Sequence, residues 1–204
     1  MTAAATNRAE RWPSFAVLGL VGAVLAWRSG AALMHIAAAI GYPFELDFGE
    51  GVVLQQALLM PGPHAYGDIT QYPFISFPYP PVFHMAVRGA MTLGLDVLMA
   101  GRTVSAAATL AIAALIFAGV WRLTAPLPWA ARAFGAASAA LLLVSVPFVM
   151  SWAPLARVDM LAIAFSLGAV MLAAHSAGSM LRLLGAVLLA VLAVMTKQTS
   201  IAAP

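Results

Sequence analysis

Apolar residues run almost unbroken through five stretches of this chain: about Phe15 to Ile40, Ala100 to Trp121, Ala133 to Met150, Met160 to Ala174 and Leu183 to Thr196. Each approaches the roughly 20 residues that a helix needs to cross the hydrocarbon core of a bilayer, if tilt and local thinning are allowed. The pattern predicts an all-α integral membrane protein with about five transmembrane helices. Between the first two runs lies a long insert, Gly41 to Leu95, in which Pro43, Pro61, Pro63, Pro73, Pro78, Pro80 and Pro81 break any continuous helix. Its aromatic side chains, such as Tyr42, Phe44, Tyr66, Tyr72 and Phe77, suit the headgroup level. The insert is therefore expected to form an outer loop with interfacial helices. Gly49 to Met60 reads as one short surface helix, and Phe77 to His84 as an extended entry into another.

The segment Pro81 to Leu98, carrying His84, Arg88 and Asp96, decides the topology. If it spans, Arg122, Arg132 and Arg182 fall on the outer face, against the positive-inside bias. If it is interfacial, they join Arg8 and Arg11 inside, and Asp47 and Asp159 share the outer face. The interfacial layout is the expectation, with a cytoplasmic amino terminus and a multi-pass chain. A signal peptide competes for the first run, with Arg8 and Arg11 as its basic region, Phe15 to Ala26 as its apolar region and Ala37 to Ala39 as its cleavage site. Removable apolar regions are only about 7–15 residues long, so an uncleaved helix is expected. Arg28 within it reads as a side chain snorkelling toward an interface or facing the bundle interior, with a contact to lipid phosphate as the sharper reading, and His35 as a satisfied helix-end histidine.

Composition narrows the class further. Hydrophobic residues make up 63% and charged residues 8% of the 204, where a soluble globular domain has about 25% charged. The net charge of +3 is scattered between apolar runs, which marks the basic residues as topology determinants and argues against a nucleic-acid partner. With no cysteine, disulfides and thiolate metal ligands are excluded.

Three polar constellations remain. Phe44 to Gly51, F-E-L-D-F-G-E-G, sets Glu45, Asp47 and Glu50 just beyond the first run. Trp152 to Asp159, W-A-P-L-A-R-V-D, carries Arg157 and Asp159 at a helix entry, where a carboxylate is stabilised by the helix dipole. Thr196 to Thr199, T-K-Q-T, holds Lys197, the only lysine of the chain. Taken singly, they read as a solvated loop, an N-cap with an interface anchor, and a snorkel. On one outer surface they become carboxylates beside a guanidinium and an ammonium. Group transfer from a lipid phosphate needs such a base and such cations. A divalent metal, magnesium or manganese, bound through Asp47 and Asp159 would supply the cationic part equally well.

With these residues in view the chain resembles the membrane-embedded GT-C glycosyltransferases that use polyprenyl-phosphate sugars, above all bacterial members related to the protein mannosyltransferase and aminoarabinose transferase groups. The resemblance rests on E-L-D-F-G-E-G, F-P-Y-P-P-V-F-H (Phe77 to His84), A-G-R-T-V-S (Ala100 to Ser105), A-R-V-D and M-T-K-Q-T, and covers nearly the whole chain. It implies that Asp47 is the catalytic base, that Asp159 assists or helps hold a metal, and that Arg157 and Lys197 contact the donor phosphate. Glu50 assists, Glu45 is a solvated acid, and Tyr79, Pro80, Pro81 and His84 shape the loop under the sugar. Inverting transfer to a glycan, lipid or protein acceptor at the outer face of a bacterial inner membrane is implied with them. Members of this family carry further spans, so residues 1–204 look like an amino-terminal part. The alternatives are a transporter or flippase-like bundle using Arg28 and the outer Asp/Arg pairs, an inactive truncated fragment, or a structural subunit in which the charges only anchor.

Overall fold

The computed structural model describes residues 12–202, with side chains placed from 16 to 200. The polar head with Arg8 and Arg11 lies outside them, as does the Ala203-Pro204 end. Among the described residues all regular structure is helical: α1 Trp12–Ile40, α2 Phe48–Leu59, α3 Val82–Met91, α4 Val97–Leu123, α5 Trp129–Ser145, α6 Pro147–Trp152, α7 Asp159–Ala174, α8 Met180–Val194 and a closing 3-10 turn, Gln198–Ala202.

Two helices are long and apolar enough to cross a membrane, over Ala16–Ile40 and Val97–Leu123, and α5, α7 and α8 are shorter apolar helices. α1 runs unbroken through the proposed cleavage site. Short connections make α4 and α5, and likewise α7 and α8, antiparallel neighbours, while α4 also packs on α7 and α5 on α1. The outward faces of α1 and α8 expose Leu20, Trp27, Met34, Leu184, Val187 and Leu188. A continuous apolar exterior of this kind suits lipid rather than water.

Each departure from the expected boundaries has a local cause. Asp96 starts α4 early, its carboxylate accepting from the Met99 N–H at 2.9 Å. The third apolar run is not one helix, because Pro147 cannot continue α5 and begins α6 instead. That break leaves the Ser145 carbonyl without a helical partner. Arg28 fills the gap, donating to it from Nη2 at 3.1 Å. Arg28 thus turns into the bundle, and the snorkelling reading is corrected. Beside it the Ser29 and Ser145 hydroxyls lie 3.1 Å apart.

Residues 41–96 fold over one end of the bundle. There α3 has 10 residues, about 15 Å of rise, half of a hydrocarbon core. It is too short to cross, and it packs on α2 and α4. The core beneath joins Val53, Leu54 and Ala57 of α2, Phe83 and Val87 of α3, Ala100 of α4, and Ala156 and Val158. Gly101 is the point of closest approach: a Cβ there would lie 2.6 Å from Leu54 Cδ2 and 2.7 Å from Ala156 Cβ. Gly101→Val is expected to force α2 and the 153–158 segment away from α4 and to destabilise the fold by about 1–3 kcal/mol. Thermal unfolding in detergent checks this.

Candidate functional site

The site is built from its floor upward. Arg102, six positions into α4, is fully buried, as is Glu50 of α2. Arg102 donates from Nε to Glu50 Oε1 at 2.9 Å and from Nη2 to Oε2 at 2.8 Å, a bidentate pair. Its remaining N–H groups go to the carbonyls of Ala39, Tyr42 and Phe44 at 2.7, 2.6 and 2.7 Å. Glu50 also accepts from the Leu46 N–H at 2.7 Å and the Ala156 N–H at 2.8 Å. One ion pair thereby ties the end of α1, the 42–46 turn, α2, α4 and the 153–158 segment together. Burial pushes the Glu50 carboxyl up, but the Arg102 hydrogen bonds and charge and the two backbone N–H groups outweigh it and hold it below the ordinary range.

Above this floor lie two half-buried ion pairs. Asp47 N-caps α2, its Oδ2 accepting from the Gly49 N–H at 3.0 Å. The same oxygen accepts from Arg157 Nη1 at 2.8 Å. Arg157 lies over the Trp152 ring, 5.3 Å from its centroid, and its Nε is buried without a partner. Its backbone is held to α4 by Ser105, whose hydroxyl donates to the Arg157 carbonyl at 3.1 Å and lies 3.3 Å from its N–H. Two residues on, Asp159 Oδ1 accepts from Lys197 Nζ at 2.5 Å. Asp159 is therefore not the cap of α7. That position is Val158, with no side-chain hydrogen bond, and the Asp159 carboxylate turns to the lysine.

Lys197 is positioned by its neighbours. The Val82 N–H donates to the Met195 carbonyl at 3.1 Å, and Gln198 Nε2 donates to the Pro78 carbonyl at 2.8 Å. These bonds lay the end of α8 along Phe77 to His84. All three constellations therefore meet at one end of the bundle. Asp47, Arg157, Asp159 and Lys197 form a chain of two cation–carboxylate pairs joined through Val158. The carboxylate oxygens facing away from the cations, Asp47 Oδ1 and Asp159 Oδ2, have no hydrogen-bond partner among the described residues.

Other expected site residues lie elsewhere. Glu50 is beneath the surface and saturated, so it braces the site and contacts nothing that enters it. His84 is fully buried between the rings of Phe77 and Phe83, each about 6.3 Å away by centroid. Neither of its nitrogens makes a hydrogen bond of good geometry, although the Val53 and Tyr79 backbones are near. Burial lowers its pKa to about 4, so it is neutral at pH 7. Tyr79 accepts through its carbonyl from the Tyr66 hydroxyl at 2.8 Å and packs on the core below. His84 and Tyr79 thus support the loop from inside. Glu45 is exposed, with its carboxylate over Gly51.

Among the described residues no three acids or histidines group as a metal would require. A cation bridging Asp47 and Asp159 would have to use Oδ1 and Oδ2, since the other oxygen of each already faces Arg157 or Lys197.

Arg102 and Ser105 were expected only as part of a resembling stretch, with no role. The signal was present: an arginine inside an apolar helix requires a partner. Comparison with protein-family models, with curated proteins and with solved structures returns no match for this chain.

Proposed function

We propose that the protein is a membrane glycosyltransferase that moves a hexosyl or pentosyl group from a polyprenyl-phosphate donor to an acceptor at the outer face of the membrane. The observation that carries this reading is the pairing of Asp47 with Arg157 and of Asp159 with Lys197 over one buried brace. Asp47 Oδ1 takes the proton of an acceptor hydroxyl. The acceptor oxygen attacks the anomeric carbon as the bond to the phosphate oxygen breaks, and the electron pair leaves on the polyprenyl phosphate. Arg157 and Lys197 hold that developing charge, and the unpartnered Nε of Arg157 is a donor that a phosphate oxygen can use. A single displacement inverts the anomeric centre and leaves the proton on Asp47. A magnesium or manganese ion on Asp47 and Asp159 is not required by this scheme.

The proposed setting is a bacterial-type inner membrane. α1, α4, α5 with α6, α7 and α8 cross it, and residues 41–96 lie on the outer surface. Single cysteines in place of Asp68, Pro126 and Gly178 test the orientation. From outside, Asp68→Cys is expected to be labelled and the other two protected. Labelling at Pro126→Cys would overturn the layout. For activity, Asp47→Ala and Asp159→Ala are each expected to abolish transfer from a polyprenyl-phosphate sugar in membranes that contain the protein, at unchanged membrane insertion. Transfer retained by both variants would remove the proposed site.

A further inference from the structure

At the end of the bundle opposite the ion pairs, a cavity of about 820 Å³ opens between α4, α7 and α8. Its walls are apolar, with Leu115, Ala118, Met171 and Leu189 among them, and Gly168 forms part of its floor. It continues toward the other end as a shallower apolar groove along Ala111, Ala114 and Phe165, sharing Leu115, Gly168 and Leu189. Its mouth is basic. Arg122 lies in the last turn of α4, Arg182 in the first turn of α8, and both line the cavity with His175.

Among the described residues no acid answers these cations. Of the seven acids in the chain, Glu45, Asp47, Glu50, Asp68, Asp96 and Asp159 lie at the opposite end, and Glu10 is outside the described residues. Arg182 donates to the His175 carbonyl at 2.6 Å, and neither it nor Arg122 enters an ion pair among the described residues. Arg132 at the same end differs, stacked 4.3 Å from the Trp121 ring centroid and donating to the Trp121 carbonyl at 3.0 Å. The N-terminus of α8 adds N–H groups that Ser179 does not cap with its side chain.

From this charge complementarity we infer that the cavity holds one anionic phospholipid, its acyl chain in the groove of α4, α7 and α8 and its phosphate against Arg122 and Arg182. The geometry requires the helices to lie in a bilayer. It is independent of sugar transfer, so failure of either proposal leaves the other standing. On the proposed orientation the lipid belongs to the inner leaflet, where anionic headgroups are abundant.

The test is native mass spectrometry of the whole chain in a neutral detergent, titrated with dioleoyl phosphatidylglycerol or dioleoyl phosphatidylcholine. One phosphatidylglycerol is expected to be retained in preference to phosphatidylcholine. An arginine near an anionic headgroup is worth roughly fivefold in affinity, so Arg122→Ala with Arg182→Ala should weaken phosphatidylglycerol about 25-fold and phosphatidylcholine, whose choline offsets its phosphate, much less. Arg132→Ala should retain the preference, and Ala118→Phe, which fills the cavity, should weaken both lipids. Equal retention of the two lipids by the unaltered protein would overturn the inference without any variant. So would displacement by glycerophosphoglycerol, which lacks acyl chains, or a dimer that excludes lipid.

Discussion

Arg102→Met is expected to destabilise the protein by about 3–5 kcal/mol, the largest effect of any single substitution considered. The reason is the number of groups that one side chain satisfies. A guanidinium has five N–H donors, and each of the five goes to a different acceptor: two to Glu50 and one each to the Ala39, Tyr42 and Phe44 carbonyls. Methionine fills the volume and leaves a buried carboxylate and three carbonyls behind. Replacing a buried ion pair by two apolar residues is often neutral, but that rule does not extend here. Glu50→Leu with Arg102→Met still orphans those carbonyls and the Leu46 and Ala156 N–H groups, so the double variant should remain well below the parent. Thermal and denaturant unfolding in detergent measure both. A loss under about 1 kcal/mol for Arg102→Met would show the brace to be dispensable.

The same brace gives stability a pH dependence. The folded carboxyl of Glu50 sits below its ordinary value of 4.5, so its contribution is full above that value and is lost as pH falls through the lowered one. His84 acts earlier. Its folded pKa of about 4 is depressed from 6.5, so the unfolded chain binds the extra proton between them, and stability falls as pH drops from 6.5 toward 4. Acid sensitivity that begins above pH 5 and disappears in His84→Leu would identify that histidine as its source.

The apolar runs made the helical class legible, because hydrocarbon-length periodless stretches admit few alternatives. Boundaries were less so. The break at Pro147 was available in principle, since a proline in an apolar run ends or kinks a helix, but its use as an acceptor site for Arg28 depends on α1 packing against α5. The grouping of the three constellations followed from charge accounting, which sees which end a residue occupies and cannot see depth. Glu50 and Asp47 are three positions apart on the same helix start, yet one is sealed under α4 and the other stays half open. Only the arginine at 102 distinguishes them, and an isolated A-G-R-T-V-S stretch does not state its partner.

Asp47→Asn is expected to lower transfer by roughly 10²–10⁴-fold with stability unchanged. Asparagine caps a helix as well as aspartate, so the bond to the Gly49 N–H survives while the proton acceptor is lost. Asp47→Ala confounds the two, since loss of the cap alone costs about 1 kcal/mol. Gly49→Ala approaches the pair from the other side. A Cβ at Gly49 would lie within 1.7 Å of Arg157 Nη1 and 2.8 Å from Asp47 Oδ2. Alanine suits the first turn of α2 better than glycine, but both the end of Arg157 and the Asp47 carboxylate must shift to admit the methyl. Asp47 would keep its negative charge and lose its cation. If Arg157 holds the leaving phosphate, Gly49→Ala should depress transfer nearly as far as Asp47→Asn, with a melting temperature lowered by no more than loss of the cap and of the half-buried pair explains. Full transfer in Asp47→Asn would reduce Asp47 to a helix cap. Full transfer in Gly49→Ala would remove Arg157 from the reaction and leave Lys197 as the cation that meets the donor.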